Sequence, residues 1–372
     1  MDPRTVFCHN PACPARGQVG RGNIGVHSQK DRRYICHVCN TTFAASKGTA
    51  FYRLRKSQEL VVIVVTLLAH GCPVQAIVAA FGLDERTVLS WNDRSGQHGE
   101  QVQQHLVEQP RDLGQVQADE IRVKVQGGIV WMAMAMQVST RLWLGGALST
   151  CRDTALITAL MQKVRACALC RPLLFCMDGC QAYIQAIRSV FREAIRVGKV
   201  GRPPLRPWDG VLMAQVVKQY AGKRVVAIQR RLAQGTAAQV QALVQRTQGG
   251  GTINTAYIER LNATFRACIF ALVRRGRALA RQTTTLHASM YVVGTVYNFC
   301  TDHRSLRVAI PLPGGRRHWV RRTPAIAAGI TDHRWTVEEL LSFRVPLPRW
   351  APPKTRGQRS KATQALVAQW CS

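Results

Sequence analysis

The sequence predicts a protein of the α/β class, with a mixed sheet in its main domain and two smaller units ahead of that domain. The sheet is indicated by three strand-like segments that follow one another from residue 115, and by a short apolar run after the next helix. The first small unit is indicated by two close pairs of cysteines within the first 50 residues. A chain of 372 residues is long enough for two or three domains with a substantial core.

The most unusual bulk property of the chain is its charge. The 51 Lys and Arg residues outnumber the 20 Asp and Glu residues, which gives a net charge of +31. Such a surplus indicates a polyanionic partner, first of all nucleic acid. A membrane-spanning protein is disfavoured, because the longest mostly apolar run, Leu60–Ala69, is too short to cross a bilayer. The first ten residues lack a signal pattern, so we expect a cytoplasmic location, where the 13 cysteines would be metal ligands or buried thiols.

Residues 1–50 are predicted to form a zinc ribbon. They contain two cysteine pairs with the short internal spacing of metal ligands: Cys8, Cys13, Cys36 and Cys39. Four thiolates suit a closed tetrahedral Zn²⁺ site, and the Gly-rich, basic segment between the pairs is typical of β-hairpins. The wide spacing of the first pair leaves one alternative open, in which a nearby histidine replaces Cys8 or Cys13.

Residues 51–95 are predicted to form three helices, the last two joined by a turn at Gly82. This pattern is typical of a DNA-binding helix-turn-helix, although an ordinary helical hairpin is the alternative. The exposed face of the third helix would present five polar side chains to a major groove: Arg86, Thr87, Ser90, Asn92 and Arg94. Residues 96–114 are polar and contain Gly and Pro, which favours a linker, with or without a short helix.

From residue 115 the pattern changes to that of a sheet. Three strands are predicted as an antiparallel meander with Gly- and Ser-containing turns: Gln115–Val125, Ile129–Val138 and Arg141–Ser149. A helix at Asp153–Cys167 leads to a fourth, buried strand at Pro172–Asp178. This order of elements is that of a ribonuclease H-like core, in which the first and fourth strands are neighbours. We expect this core to occupy residues 115–302.

The later segments are predicted to complete this core and to extend beyond it. Helices and strands are expected at Gln181–Val197 (helix), Val211–Tyr220 and Val225–Ile228 (strands), Thr236–Thr247 (helix), and from Asn254 onwards (helix). A loop at 198–211, rich in Pro, Gly and Arg, has the length and charge of a functional insert. Residues 303–372 are predicted to be a basic, Pro-rich tail whose end binds phosphates.

Three carboxylates are predicted to converge. Asp119 lies on the first strand, Asp178 at the tip of the fourth and Glu259 on a late helix. Carboxylates at one spot repel one another unless cations neutralise them, and their hard oxygens suit two Mg²⁺ or Mn²⁺ ions that would support phosphoryl transfer. Taken singly, Asp119 could be salt-bridged and Asp178 could cap a helix. Three other acids compete for the middle position: Asp153, Glu193 and Asp209.

Asp119 and its neighbour Glu120 are predicted to face opposite sides of the first strand. Asp119 alternates with apolar residues, Ile121, Val123 and Val125, and a carboxylate in such a row is costly to bury without a partner or a metal. Glu120 alternates with Arg122 and Lys124. We therefore expect Asp119 to face the metal ions and Glu120 to tolerate replacement.

The helix of Glu259 is predicted to contact DNA as well. Asn262 and Arg266 share one face with Glu259, next to the buried stripe of the helix. Arg266 would contact a substrate phosphate. Arg274 and Arg275 begin a basic segment that is also expected to face DNA.

These motifs resemble those of a known family. The DE pair of the first strand, the MDG at the end of the fourth and the segment NTAYIERLNATFR resemble the catalytic signatures of bacterial insertion-sequence DDE transposases. The cysteine-rich unit and the helix-turn-helix are similar to those of the insertion sequence one-type family, and the resemblance covers most of the chain. It implies a catalytic triad of Asp119, Asp178 and Glu259, with Arg266 as the basic residue of the same helix.

The resemblance also implies cofactors and partners. The expected activity is DNA cleavage and strand transfer with two Mg²⁺ or Mn²⁺ ions, alongside one structural Zn²⁺. The expected partners are the terminal inverted repeats of a mobile element, its target DNA and further copies of the chain, in a nucleoid-associated complex of the bacterial cytoplasm. A DNA-binding regulator or an inactive relic of a transposase is the rival interpretation, and a nuclease that cuts without joining is a third.

Overall fold

The computed structural model describes residues 1–372 except 170, 196–200, 223, 274–281, 312, 314–315, 353, 355–356 and 372. The chain separates into two units: Met1–Gln58 with Leu341–Ser372, and Glu59–Leu340. Residues 59–95 of the predicted helix-turn-helix unit, the predicted core and residues 303–340 therefore belong to one unit. Residues 51–58 and the end of the predicted tail belong with the cysteine-rich unit. No helix in the described part of the chain has the length and apolar character needed to cross a membrane.

The first unit is built around its four cysteines. Its antiparallel sheet contains three short strands in the order β1 (Ile24–Ser28), β2 (Arg33–Cys36) and β3 (Thr42–Ala44). The Sγ atoms of Cys8 and Cys39 lie 3.6 Å apart, and those of Cys13 and Cys36 lie 3.8 Å apart. Tetrahedral coordination with metal–sulfur bonds of about 2.3 Å requires sulfur atoms about 3.8 Å apart. The described residues thus form a candidate four-cysteine metal site that includes no histidine.

The second unit begins with three helices, α1 (Gln58–Ala69), α2 (Val74–Phe81) and α3 (Glu85–Leu106). Helix α2 ends at Gly82, whose φ of 60° lies in the left-handed region that favours glycine. Asp84 caps α3, since its Oδ1 accepts a hydrogen bond of 2.8 Å from the backbone N–H of Arg86. The three predicted helices are confirmed. The predicted linker at 96–114, with or without a short helix, is helical as far as Leu106, because α3 continues into it.

The predicted meander follows as β4 (Gln115–Val125), β5 (Gly128–Gln137) and β6 (Trp143–Ser149), with antiparallel pairing throughout. Helix α4 (Thr154–Cys167) then leads to β7 (Leu173–Met177). Strand β7 is parallel to β4, with Cys176 opposite Gln117. The first and fourth strands of the predicted core are therefore neighbours, as expected, and Asp178 directly follows β7.

The sheet continues on the other side of β7. Helix α5 (Gln181–Val190) ends before the predicted Val197, because Phe191 leaves the helix to pack against Phe175 and Trp208, with ring centroids 5.0 and 5.4 Å apart. The following residues pair instead as β8 (Arg192–Ala194) and β9 (Leu205–Pro207). Strand β10 (Val211–Ala221) is parallel to β7, and β11 (Arg224–Gln234) is antiparallel to β10. The order of the six strands is β11-β10-β7-β4-β5-β6.

Three helices pack against the face of the sheet to which Asp119 points: α6 (Ala237–Gln248), α7 (Ala256–Cys268) and α8 (Thr283–Thr295). The predicted stripe of α7 is buried, with Ile258, Leu261 and Phe265 packed against Ile121 and Val123 of β4. Tyr183 of α5 lies near Glu120 on the opposite face. The sheet is therefore covered on both sides at the level of the paired acids.

Helix α3 packs closely against α8. A Cβ atom at Gly96 would overlap the backbone of Ala288, and one at Gly99 would lie 3.0 Å from the Oγ1 of Thr295. Glycine is thus required for the approach of the two helices. This packing stabilises a polar, Gly-containing segment as helix. Composition does not reveal such packing between helices, so it predicted a linker instead.

The last elements are β12 (Val308–Pro311), β13 (Arg317–Val320), α9 (Pro324–Ala327), α10 (Val337–Ser342) and α11 (Lys361–Trp370). The predicted basic tail is therefore partly helical. Helix α11 belongs to the cysteine-rich unit, where Trp370 is 7% exposed and packs in one apolar cluster with Cys8, Cys13 and Cys36. Its carbonyl oxygen accepts a hydrogen bond of 2.6 Å from the Nε2 of Gln18.

Because Trp370 fills the core beside the cysteines, we expect Trp370→Ala to destabilise the cysteine-rich unit by about 2–4 kcal/mol. In protein loaded with Zn²⁺, the variant should lose the metal to a chromogenic chelator several times faster than the unmodified chain. Gln369→Ala, at an exposed position of the same helix, is the matched control. Equal rates of release from both variants would contradict the packing role of Trp370.

Candidate active site

The site begins with a row of polar side chains on one face of β4. Gln115, Gln117 and Asp119 alternate along the strand, and both glutamines are fully buried. The Oε1 of Gln117 accepts hydrogen bonds of 3.1 and 3.0 Å from the backbone N–H groups of Tyr257 and Ile258. Gln117 therefore caps the start of α7 and fixes it against β4. The row of Asp119 is polar before the acid and apolar only after it, which corrects the expectation of an apolar row.

Asp119 is held by Asn262 of α7, whose Nδ2 donates a hydrogen bond of 2.8 Å to its Oδ2. Burial, and the negative charges of Glu120, Asp178 and Glu259, raise the pKa of Asp119 to about 6. Asn262 was predicted to contact DNA, but its side chain is 1% exposed and turned toward Asp119. In the structure Asn262 orients the carboxylate of Asp119. The prediction failed because position on a helix face does not distinguish a DNA contact from a buried partner.

Glu120 does not lie on a solvated row, which was the basis for expecting it to tolerate replacement. The residue is 8% exposed, and its Oε2 accepts a hydrogen bond of 2.9 Å from the Nη2 of Arg152. The same nitrogen lies 2.8 Å from the Oδ2 of Asp178. Burial raises the pKa of Glu120. The alternation with Arg122 and Lys124 suggested a solvated row, but α5 covers this part of the strand.

Asp178 is fixed by its position after β7. Its Oδ1 accepts a hydrogen bond of 2.9 Å from the backbone N–H of Cys180, at the start of α5, and its carbonyl oxygen accepts one of 3.2 Å from Gln215 of β10. Carboxylate oxygens of Asp119, Glu120 and Asp178 lie within 4.8 Å of one another. The middle of β4, the end of β7 and the α5 turn thus bring three acids together.

Glu259 approaches from α7. Its Oε1 lies 2.5 Å from the Nζ of Lys218 and accepts a hydrogen bond of 2.7 Å from the Oγ1 of Thr255. Although burial raises the pKa of Glu259, these two hydrogen bonds outweigh burial and lower it. Glu259 is therefore ionised and paired with a cation, outside the tight cluster of the other three acids.

The three predicted catalytic acids line one cleft of about 550 Å³. Asp119, Asp178 and Glu259 contribute carboxylates to the cleft, and Lys218 and Arg266 contribute positive charge. The competing acids lie elsewhere. Asp153 caps α4, Glu193 pairs with Arg206, and the side chain of Asp209 is 86% exposed.

This donor set fits divalent cations. Carboxylate oxygens are the ligands that Mg²⁺ and Mn²⁺ prefer. The carboxylates of Asp119, Glu120 and Asp178 converge within the reach of one ion. Glu259 faces the same cleft and could complete the set if its pairing with Lys218 opened. Arg152 and Lys218 would compete with a metal ion for the same oxygens, because each donates to a carboxylate of the cleft.

The predicted DNA contacts of the third helix are only partly accessible. Arg86 and Ser90 are exposed, and Thr87 and Arg94 are half-buried. Asn92 is buried, and its Oδ1 accepts a hydrogen bond of 3.2 Å from Ser289 of α8, so its assignment to the groove-facing surface is wrong. Arg274 and Arg275 lie outside the described residues.

Sequence reasoning missed the residues that hold the acids. Gln117 has a signal that could have been read, because it stands two positions before Asp119 in the same alternating row. Arg152 and Lys218 have none, because each meets its acid through tertiary contacts over 26 to 41 residues of sequence.

Replacement of Asp119 by asparagine should stabilise the metal-free protein above pH 6. The unfolded carboxyl ionises near its usual pKa of 3.8 and the folded one near 6, so stability falls as pH rises through this window. Asp119→Asn removes that penalty, and its free energy of unfolding at pH 8 should exceed that of the unmodified protein by about 1–3 kcal/mol. The difference should vanish below pH 4 in urea titrations; a difference that is equal at both pH values would refute the assignment.

Replacement of Glu120 by alanine should destabilise the fold. It removes the buried partner of Arg152, and we expect a loss of about 1–3 kcal/mol in the free energy of unfolding. Arg122→Ala, two residues further along the same row and exposed, should change it by less than about 0.5 kcal/mol. Denaturant titrations compare the two variants, and similar values for both would show that Glu120 is dispensable after all.

A scan against protein-family models and a search of curated proteins found no match to this chain. The functional assignment therefore depends on the arrangement of side chains: four acids on β4, after β7 and at the start of α7, two cationic partners and one open cleft.

Proposed function

We propose that the chain is a metal-dependent phosphoryl transferase that acts on DNA, of the DDE transposase type. The observation that carries this proposal is the cleft in which Asp119, Asp178 and Glu259 meet. Each acid comes from a different element, β4, the end of β7 and α7, and two of them lie within 4.8 Å of each other. Structural salt bridges alone do not require three carboxylates on one open surface.

The order of the strands supports a ribonuclease H-like core. Three antiparallel strands are followed, on the other side of the first strand, by two parallel ones, in the order β6-β5-β4-β7-β10. In open sheets of this kind, sites form where the strand order reverses direction, next to the carboxyl ends of the strands. Here that point lies between β4 and β7, and Asp178 directly follows the end of β7.

The distribution of positive charge supports DNA as the substrate. The chain carries a net charge of +31, and Arg266 lines the cleft beside the acids. Arg86 and Ser90 are exposed on α3, and the four-cysteine unit would hold one structural Zn²⁺. We infer that these units bind the terminal inverted repeats of a mobile element and that copies of the chain assemble around two DNA ends.

The side chains of the cleft have separate tasks in this proposal. Asp119, oriented by Asn262, and Asp178, anchored at the start of α5, offer oxygens to Mg²⁺ or Mn²⁺ from adjoining strands. Glu259 offers a third carboxylate once Lys218 turns from it to the DNA. Two bound ions would activate a water or a 3′-hydroxyl and stabilise the leaving oxygen. Arg266 would contact the phosphate next to the bond that is cut.

A second candidate function is DNA binding without catalysis. The observation that favours it is the neutralisation of the acids by the chain itself: Arg152 pairs with Glu120 and Asp178, and Lys218 pairs with Glu259. A regulator or an inactive relic could keep these ion pairs permanently. The two functions differ in whether a divalent ion displaces Arg152 and Lys218.

Cleavage of supercoiled plasmid with Mg²⁺ or Mn²⁺ tests the proposal, with a labelled 3′-hydroxyl oligonucleotide added to detect joining. We expect Asp119→Asn, Asp178→Asn and Glu259→Gln each to reduce cleavage on the order of 100-fold or more, because each removes a charge that binds the ions. Asp209→Asn is the matched control, since that acid is exposed outside the cleft.

The outcomes separate the three functions. Cleavage and joining that depend on the three acids support a transposase, and cleavage without joining indicates a nuclease. DNA binding with no metal-dependent cleavage, or cleavage that is unchanged in all three variants, contradicts the proposal.

A further inference from the structure

A second cleft lies at the hairpin formed by β12 and β13. Its volume is about 490 Å³, and every residue of β13 is exposed. The six residues that line it are Asp302, His303, Arg304, Arg307, Trp319 and Arg321. The predicted tail was expected to bind phosphates only near its end, so this cleft has no role in the function proposed above.

The cleft carries positive charge that the protein does not neutralise. Among the described residues, no carboxylate lies within ion-pair distance of Arg304, Arg307 or Arg321. The acid in the lining, Asp302, is engaged elsewhere, because its Oδ2 lies 3.1 Å from the Nη1 of Arg334. Three guanidinium groups around one concave surface match the oxygens of phosphate groups.

Trp319 adds an aromatic surface to this charge. The guanidinium carbon of Arg307 lies 4.0 Å from the centre of the Trp319 ring, and Trp319 is 44% exposed. One guanidinium covers only one face of an indole, so part of the ring stays open to solvent. An exposed tryptophan that stacks on an arginine next to free guanidinium groups is suited to a nucleic-acid base with its phosphate.

The base of the hairpin is fixed to the rest of the unit. Trp319 pairs with Ala309 across the two strands. The backbone N–H of His303 donates a hydrogen bond of 3.0 Å to the carbonyl oxygen of Arg322, and the Nε of Arg322 donates one of 2.7 Å to the carbonyl oxygen of Leu306. The backbone that carries the arginines and Trp319 is therefore fixed, which lowers the entropy lost on binding.

The electrostatic field of the cleft extends toward α7. Burial, and the positive charges of Arg141 and Arg260, lower the pKa of His303 and keep its imidazole neutral. Arg260 directly follows Glu259 in the sequence of α7. Arg141 and Arg260 therefore add positive charge near the hairpin cleft.

We propose that the β12–β13 cleft binds single-stranded nucleic acid. Arg304, Arg307 and Arg321 hold the phosphodiester backbone, and an unpaired base stacks on Trp319. A duplex does not satisfy both requirements, because its bases are stacked inside the helix and beyond the reach of Trp319. This binding needs neither metal nor catalysis, so it holds or fails independently of the function proposed for the carboxylate cleft.

Fluorescence anisotropy of the full, Zn²⁺-loaded chain without Mg²⁺ or Mn²⁺, with a labelled 12-nucleotide oligothymidine, tests the proposal. The comparison strand has the same length but lacks bases, so that it keeps the phosphates and loses stacking. Trp319→Ala should weaken binding of the intact strand by about 5- to 100-fold and leave binding of the abasic strand unchanged. Val320→Ala, at the next exposed position of β13, should change neither.

The arginines are tested by salt dependence. Arg304→Ala and Arg321→Ala should weaken binding of both strands, and each should reduce the slope of log affinity against log salt concentration by about 0.7. Arg171→Ala, at an exposed position outside the cleft, should alter the slope less. An oligouridine arm distinguishes RNA from DNA as the source of the strand. A duplex of the same length is measured alongside them. The proposal is overturned if Trp319→Ala weakens binding of the intact and abasic strands equally, or weakens binding of the duplex as much as that of the single strand. It is also overturned if binding of the intact strand is unchanged in a variant whose melting temperature is unchanged.

Discussion

The structure depends on the concentration of negative charge at the middle of β4, beside the end of β7. In a chain with 20 acids against 51 basic residues, carboxylates of Asp119, Glu120 and Asp178 lie within 4.8 Å of one another. Their mutual repulsion is sustained only because Arg152 bridges Glu120 and Asp178, while Asn262 holds Asp119 in place. The raised pKa of Asp119 means that its charge costs folding energy, which is typical of sites kept for binding or catalysis.

Strand β4 connects the two faces of this site. On one face Gln117 fixes the start of α7, so the position of Glu259 is determined by the same strand that carries Asp119. On the other face Glu120 holds Arg152, which in turn positions Asp178. Residues on opposite faces of one strand therefore control the two elements that supply the remaining acids, and a shift in strand register would disrupt both.

The local sequence pattern was sufficient to predict much of the fold, because alternation and turn residues specify strands directly. Strand β4 has the bounds that were expected. Asp119, Asp178 and Glu259 meet in one cleft, as their places on the predicted elements indicated. It failed where tertiary contacts decide. Gly96 and Gly99 suggested a linker but permit close helix packing, and the alternation of Glu120 with Arg122 suggested solvent but α5 covers the acid. Arg152 and Lys218 could not be found, since no local rule links a basic residue to an acid in another element.

The position of Trp370 has a consequence for biosynthesis. The core of the cysteine-rich unit contains Cys8 and Cys13 near one end of the described chain and Trp370 near the other, with a hydrogen bond from Gln18 to Trp370 across 352 residues. During translation this unit cannot reach its final packing until residue 370 has left the ribosome, whereas Glu59–Leu340 can already fold. Chains that stop early would thus contain a complete acidic cleft but an incomplete cysteine-rich unit.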